Sequence, residues 1–262
     1  MEISALPQMP IIPLMTRLRR RGILTGTLLL LVVFVPMEVS GQRVRIADLN
    51  MSRLGASQHT YASFSQAVAR YDVVAADDLG DAGGMEKVLA GMDEGWEAAV
   101  SRGGFFGFIY NDRVQMVKEL GTYPGIGKFA RAPYGAQFRL AGTRFALNLV
   151  VCHIEARKGQ EARAAEIAHL AAVYHYFENL TGNRGITLLL AGGLRDEREL
   201  AFRSLVALGD VMALGASFTG AEGLHDEGDR MFASAALRSR IEEAGFSAST
   251  PRTAYVILKT GK

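Results

Sequence analysis

The stretch Phe145-Ala-Leu-Asn-Leu-Val-Val-Cys-His153 begins the most regular part of the chain. Its apolar run predicts a strand over Arg144–Cys152 that ends on a polar, titratable side chain. A long helix is predicted next, over Glu161–Leu180, where Ile167, Leu170, Ala171, Tyr174 and Phe177 follow the 3.6-residue period. Thr181-Gly-Asn-Arg-Gly185 stops it. Ile186–Leu190 is then a fully apolar strand closed by Ala191-Gly-Gly193. A strand, a covering helix and a second buried strand make a layered α/β unit.

Upstream, Arg43–Leu49 alternates Val44 and Ile46 with arginines, as a strand does. Ser63-x-x-Gln66 suits a capping box opening a short helix through Ala69. Val73–Ala76 is a short apolar strand ending in Asp77-Asp-Leu-Gly-Asp81, and a helix follows over Met85–Met92. Phe105–Tyr110, Val114–Leu120 and Ala136–Leu140 are further strands, with turns at Asn111-Asp112 and Ala141-Gly142. Downstream, helices are expected over Glu197–Leu208 and Leu237–Ala244, the latter stopped by Gly245. Strands are expected over Arg230–Ala233 and Ala254–Leu258.

Several of these segments resemble, in the same order, those of the endonuclease/exonuclease/phosphatase (deoxyribonuclease I-like) family. Arg45-Ile-Ala-Asp-Leu-Asn50 is similar to the first family strand, and Tyr71-Asp-Val-Val-Ala-Ala-Asp-Asp78 to the second, which usually ends in Gln-Glu. Phe106–Val114 is similar to the Tyr-then-Asp-Arg-Val hairpin, and Phe129-Ala-Arg-Ala-Pro133 to the Phe-x-Arg-x-Pro segment. Phe145–His153 resembles the strand carrying the first catalytic His, and Gly228-Asp-Arg-Met-Phe232 the Tyr-Asp-Arg-Ile strand. The resemblance spans residues 43–259. It implies a four-layer α/β (α+β) sandwich of two packed, mostly antiparallel sheets flanked by helices, occupying residues 42–262.

The chemistry implied is hydrolysis of a phosphodiester or phosphomonoester with Mg2+ or Mn2+. On the family pattern His153 and Asp229 are catalytic and Asn50 and Asp78 hold the metal. The ligand is a phosphate ester, with nucleic acid among the candidates. Where the family has Gly-Asp-Phe-Asn this chain has Gly192-Gly-Leu-Arg195. Where the family ends in Asp-His it has Pro251-Arg252. The general base and its orienting Asp are therefore absent from their usual places, and acid–base catalysis supplies about 10²–10⁴-fold in rate. Weakened or lost catalysis is expected. The alternative is a non-catalytic descendant that binds a phosphate-containing ligand or a protein partner. Arg131, Arg195 and Arg252 suit phosphate binding, because a guanidinium forks onto phosphate oxygens.

Blander roles also fit these residues. Asn50 suits a strand-end turn, Asp77, Asp78 and Asp81 a solvated turn, His153 a satisfied core histidine, and Asp229 an ion pair with Arg230. Arg131 suits a surface position.

Residues 1–41 differ in character. Arg17-Leu-Arg-Arg-Arg21 precedes the apolar run Gly22–Pro36, and Val39-Ser-Gly41 closes it with small residues. This predicts a signal peptide or N-terminal membrane anchor, with residues 17–36 as the anchoring segment. The expected location is periplasmic or secreted, or membrane-attached if the leader is retained. Four of the 29 basic and two of the 27 acidic residues lie in this leader, so the rest carries 25 of each. A neutral body argues against a broad basic face for non-specific nucleic-acid binding. The single cysteine, Cys152, excludes an intrachain disulfide and a Cys-pair zinc site. There is no Gly-x-Ser-x-Gly elbow, His-Glu-x-x-His helix or phosphate-binding Gly-x-x-x-x-Gly-Lys loop.

Overall fold

A computed structural model of the chain describes residues 43–81, 83–154, 159–182, 187–192, 202–208, 211–214, 230–247 and 253–260. The chain divides into Met1–Glu38 and Val39–Lys262, and every described residue lies in the second unit. The leader falls outside the described residues. Among the described residues no helix is long and apolar enough to cross a membrane.

Among the described residues, twelve strands form two six-stranded sheets. The first has the order β11 (Ile241–Phe246), β12 (Ala254–Lys259), β1 (Arg43–Asn50), β2 (Val73–Asp77), β4 (Gly107–Tyr110), β3 (Glu97–Val100). The second runs β5 (Val114–Thr122), β6 (Tyr134–Leu140), β7 (Ala146–His153), β8 (Thr187–Gly192), β10 (Arg230–Ser234), β9 (Val211–Leu214). Within each sheet the central pair is parallel: β1 with β2, and β7 with β8. The other pairings are antiparallel.

Strand periodicity sorts the core into three layers. Val44, Ile46, Val73, Ala75, Leu147, Leu149, Val151, Leu188 and Leu190 meet between the sheets. The alternate residues of the first sheet (Ala47, Leu49, Val74, Ala76) pack on Phe64 and Val68 of α1 (Gln58–Val68) and Met85 and Val88 of α2 (Gly84–Leu89). Those of the second sheet (Val150, Cys152, Leu189, Ala191) pack on Ile167 of α3 (Gln160–Ala168) and Val173, Tyr174 and Phe177 of α4 (Leu170–Thr181). Leu205 of the short α5 (Arg203–Val206) joins that layer. This is the four-layer sandwich expected from the sequence. At Gly135 of β6, an added Cβ would lie 2.5 Å from the Phe177 ring, so glycine lets α4 settle on the sheet.

Some local expectations fail. The first helix begins at Gln58, and Ser63 caps nothing: its hydroxyl donates to the His59 carbonyl one turn back. The long helix is two helices interrupted at His169. Leu237–Ala244 is not a helix but a 3-10 turn, Ala235–Arg240, running into β11. Pairing of β11 along β12, with an irregular register between Ile241 and Glu243, overrides the helical spacing of its apolar residues. Of the helix expected over Glu197–Leu208, the residues before 202 lie outside the described set.

Candidate functional site

Both parallel pairs end at the same rim of the sandwich. The carboxyl ends of β1 and β2 carry Asp48, Asn50 and Asp77, and those of β7 and β8 carry His153 and Gly192. Each continues the inward-facing set of its strand: Val44 and Ile46 precede Asp48 and Asn50, Val73 and Ala75 precede Asp77, and Leu149 and Val151 precede His153. Crevices beyond the carboxyl ends of parallel strands are the usual ligand sites of α/β sheets.

The clearest contact there crosses from one sheet to the other. His153 Nδ1 lies 2.9 Å from Asp77 Oδ2. Asp77 is fully buried and the His153 side chain 11% exposed. With the carboxylate accepting, the proton of the neutral ring sits on Nδ1, and Nε2 is the basic nitrogen. The other oxygen, Asp77 Oδ1, is buried and has no hydrogen-bond partner among the described residues. Gly192 makes room for the pair. A Cβ there would overlap Asp77 Oδ2 and lie 3.0 Å from His153 Nδ1. Beneath the pair, burial first and then the charges of Asp48, Asp77 and Glu166 push the Cys152 thiol well above its ordinary value. Cys152 is an inert core residue on the helix side of β7.

Asp78 takes a different path. Strand β2 ends at Asp77, and Asp78 adopts φ 47°, a left-handed conformation that Asp tolerates better than most residues. Its carboxylate forms an ion pair with Arg131, from the loop between β5 and β6. The Arg131 guanidinium carbon also stands 4.9 Å from the centre of the Phe105 ring. Asn50 Oδ1 accepts the Ser52 N–H at 3.1 Å, which is turn geometry at a strand end.

Asp77 and His153 thus form one unit, and Asp78 and Arg131 another. Asp229, Arg195 and Arg252 lie outside the described residues. The solvated-turn reading is wrong for Asp77, which is buried, and suits Asp81, which accepts the Gly83 N–H at 3.0 Å and pairs with Lys87 at 3.7 Å. The family pattern aligns its metal-holding Glu with Asp78, whereas strand alternation from Val73 and Ala75 points to Asp77.

The resemblance places a divalent cation at Asn50 and Asp78. The described residues do not fit it there. The Asp78 carboxylate is already neutralised by a guanidinium, the Asn50 oxygen is engaged by a backbone N–H, and among the described residues no three His, Cys, Asp or Glu side chains converge on a common point.

No protein-family model matches the sequence. No curated protein matches it either. Solved structures do match in fold. An endonuclease/exonuclease/phosphatase protein of Bacteroides vulgatus superposes with a TM-score of 0.64 at 13% identity, over 84% of this chain and 100% of that one. The mannosyl-6-phosphatase of Bacteroides thetaiotaomicron gives 0.58 at 13%, over 82% and 98%. D. rerio TDP2, in complex with a single-strand DNA product, gives 0.59 at 15%, over 84% and 100%. The chain has the endonuclease/exonuclease/phosphatase, deoxyribonuclease I-like fold.

Proposed function

We propose that this protein hydrolyses a phosphate ester held beyond the carboxyl ends of the central strands, with His153 as the proton-transfer group and Asp77 as its positioning residue. The observation that carries the reading is the 2.9 Å contact of His153 Nδ1 with a buried Asp77 carboxylate. Hydrolysis needs water activated beside phosphorus. Nε2 of His153 takes the proton as the water oxygen bonds to phosphorus. The bond to the leaving oxygen breaks, and that oxygen leaves with the electron pair and gains a proton from solvent. Asp77 fixes the ring tautomer and favours the imidazolium that forms. A carboxylate contributed by β2 thereby orients the ring of His153, a role for which the Asp of the family pattern is absent from its usual place. The solved structures of this fold include a phosphatase of a mannose phosphate and a protein bound to a DNA product. Both are phosphate esters, so that is the substrate class.

The reading includes export, supported by the basic–apolar–small order of residues 17–41. A second reading, a binder without turnover, is favoured by the Arg131–Asp78 pair, which occupies the carboxylate expected to hold a metal.

The test is an assay of purified full-length protein on simple phosphomonoesters, phosphodiesters and single-stranded DNA. It is run with Mg2+ or Mn2+ and, separately, with chelator. The expected result is turnover that falls about 10²–10⁴-fold in His153→Ala and comparably in Asp77→Asn. No turnover under any condition, or turnover indifferent to His153→Ala, defeats the hydrolytic reading.

A further inference from the structure

We infer that the end of the sandwich away from the cleft is a docking surface for an anionic lipid bilayer. The inference rests on the export reading of residues 17–41 and is independent of the hydrolytic one.

Strands β1 and β7 start at that end, and its basic side chains form one stripe. Arg43 stands opposite Lys259. Arg113 donates to the Arg43 carbonyl at 2.7 Å, and its own carbonyl accepts the Ala141 N–H at 2.9 Å, at the turn that leads to Arg144. Beyond that turn Phe145 is half-buried, with the Arg240 guanidinium carbon 4.8 Å from its ring centre. Arg238 is exposed on the 3-10 turn that also carries Arg240.

The stripe is not neutralised locally. Glu242 matches Arg43, Arg113 shares the buried Asp72 with Arg45, and Asp112 adjoins Arg113 in sequence. Arg144, Arg238, Arg240 and Lys259 have no acidic partner among the described residues. Asp48 and Asp77, by contrast, stand at the cleft rim. Because the chain beyond the leader is formally neutral, the stripe gives it a direction rather than a net charge.

Two observations favour a bilayer over another polyanion. A nucleic acid on this stripe would lie about 25 Å from the cleft, the length of β1, and so would not be presented to it. Residues 37–42 alone separate the apolar run from Arg43, and fully extended they reach at most about 25 Å. A bilayer holding residues 17–36 is within that reach of the stripe. A half-buried ring beneath a guanidinium also suits the headgroup layer, which takes aromatic and basic side chains together. Each Lys or Arg near an anionic leaflet strengthens adsorption about fivefold, so four unmatched cations suffice to orient the body, with the cleft open to water.

The experiment measures energy transfer from a dye on the full-length protein to acceptors in the headgroups of vesicles. The vesicles are phosphatidylcholine, with or without a quarter of phosphatidylglycerol. The dye is placed on Ala141→Cys, beside the stripe, or on Ser57→Cys, in the exposed loop that follows the cleft end of β1. Cys152 is buried and holds its proton, so the introduced cysteine takes the label. The expected result with phosphatidylglycerol is strong transfer from position 141 and weak transfer from position 57. That contrast should be lost without the anionic lipid, in high salt, and in the double variant Arg144→Glu/Arg238→Glu. Both arginines are exposed, so the double variant should keep its urea midpoint and its ester turnover in solution. Equal transfer from the two positions, or a contrast that survives the double variant, overturns the inference. Binding to both vesicles without any contrast leaves the leader as the sole anchor, which overturns the inference and spares the export reading. No association with either vesicle defeats both. Binding of single-stranded or duplex DNA that the double variant abolishes, with no contrast on vesicles, assigns the stripe to nucleic acid instead and overturns the inference.

Discussion

Asp72 and Asp77 stand at opposite ends of β2, both fully buried, and their carboxylates are served very differently. Asp72 accepts the Arg45 backbone N–H at 2.8 Å, Arg113 Nη1 at 2.9 Å, Asn111 Nδ2 at 3.3 Å and Arg45 Nη2 at 3.5 Å. Asp77 has the His153 ring on one oxygen and no partner among the described residues on the other. A saturated buried carboxylate staples the fold. A half-satisfied one at a strand end keeps capacity for chemistry.

Asp72→Ala is expected to destabilise the protein by about 2–4 kcal/mol. The Arg45 N–H and the Asn111 amide lose an acceptor, while Arg45 and Arg113 are partly exposed and keep water, which holds the figure below that of a fully buried pair. Urea unfolding measures it. Phosphate binding and kcat should stay at wild-type values, and a loss of either without unfolding would contradict the assignment of Asp72 as structural.

Gly192→Ala tests the other end. The added methyl overlaps Asp77 Oδ2, so the carboxylate must turn away from His153. Overpacking of this kind costs about 1–3 kcal/mol, while loss of ring orientation lowers kcat about 10²–10⁴-fold. Nuclear magnetic resonance of the imidazole should show the Nδ1–H signal lost or moved. A variant with wild-type kcat and an unchanged signal would show that the close approach at Gly192 has no functional meaning.

Much of this was legible in the chain. The apolar parity of Val44 and Ile46, of Val73 and Ala75, and of Leu147–Val151 marks the inner faces of four strands, and the order of segments marks the sandwich. The same parity also points to Asp77, whereas the family motif points to Asp78, whose left-handed φ no alternation rule anticipates. The edge strand β3, Glu97–Val100, is four residues long and only partly buried, so it leaves little pattern to read. Leu237, Ile241 and Ala244 have helical spacing, and only the availability of β12 as a partner makes Ile241–Phe246 a strand. Contacts between residues 76 positions apart, such as Asp77 with His153, depend on tertiary packing that spacing does not encode.

Glu166→Ala is expected to destabilise the protein through the loop that carries Arg131. The buried carboxylate holds the Ala130 N–H, and losing that charged hydrogen bond costs about 1–3 kcal/mol and frees the Arg131 loop. Glu166→Gln keeps an acceptor oxygen and should restore most of the stability in urea unfolding. Equal losses in both variants would mean that the charge matters and the brace does not.

Alkaline pH should loosen the fold through Cys152 first. Burial, followed by the charges of Asp48, Asp77 and Glu166, raises its pKa well above the ordinary 9.0. A group that holds its proton more tightly folded than unfolded contributes fully below the unfolded pKa, and that contribution is lost as pH climbs toward the folded value. Stability to urea should therefore hold through neutral pH and fall from about pH 9 upward. Tyr110 and Tyr134, raised by burial and by their hydrogen bonds to Glu97 and Glu119, extend the fall from pH 10.0. Tyr255, pushed up to about 12 chiefly by Glu243, adds to it. Cys152→Ala should remove the earliest part of the decline, and an unchanged slope just above pH 9 in that variant would assign the loss to another group.

Strand β12 pairs residue for residue with β1, from Arg43 opposite Lys259 to Asp48 opposite Ala254, so β1 lies between β12 and β2. The strand bearing Asp48 and Asn50 keeps one open edge until Ala254–Lys259 has been synthesised. Assembly from the ribosome outward cannot finish the cleft piecemeal. Clipping Ala254–Lys259 removes no mere fringe: it unzips the innermost strand of the first sheet, and with it the rim on which Asp77 meets His153.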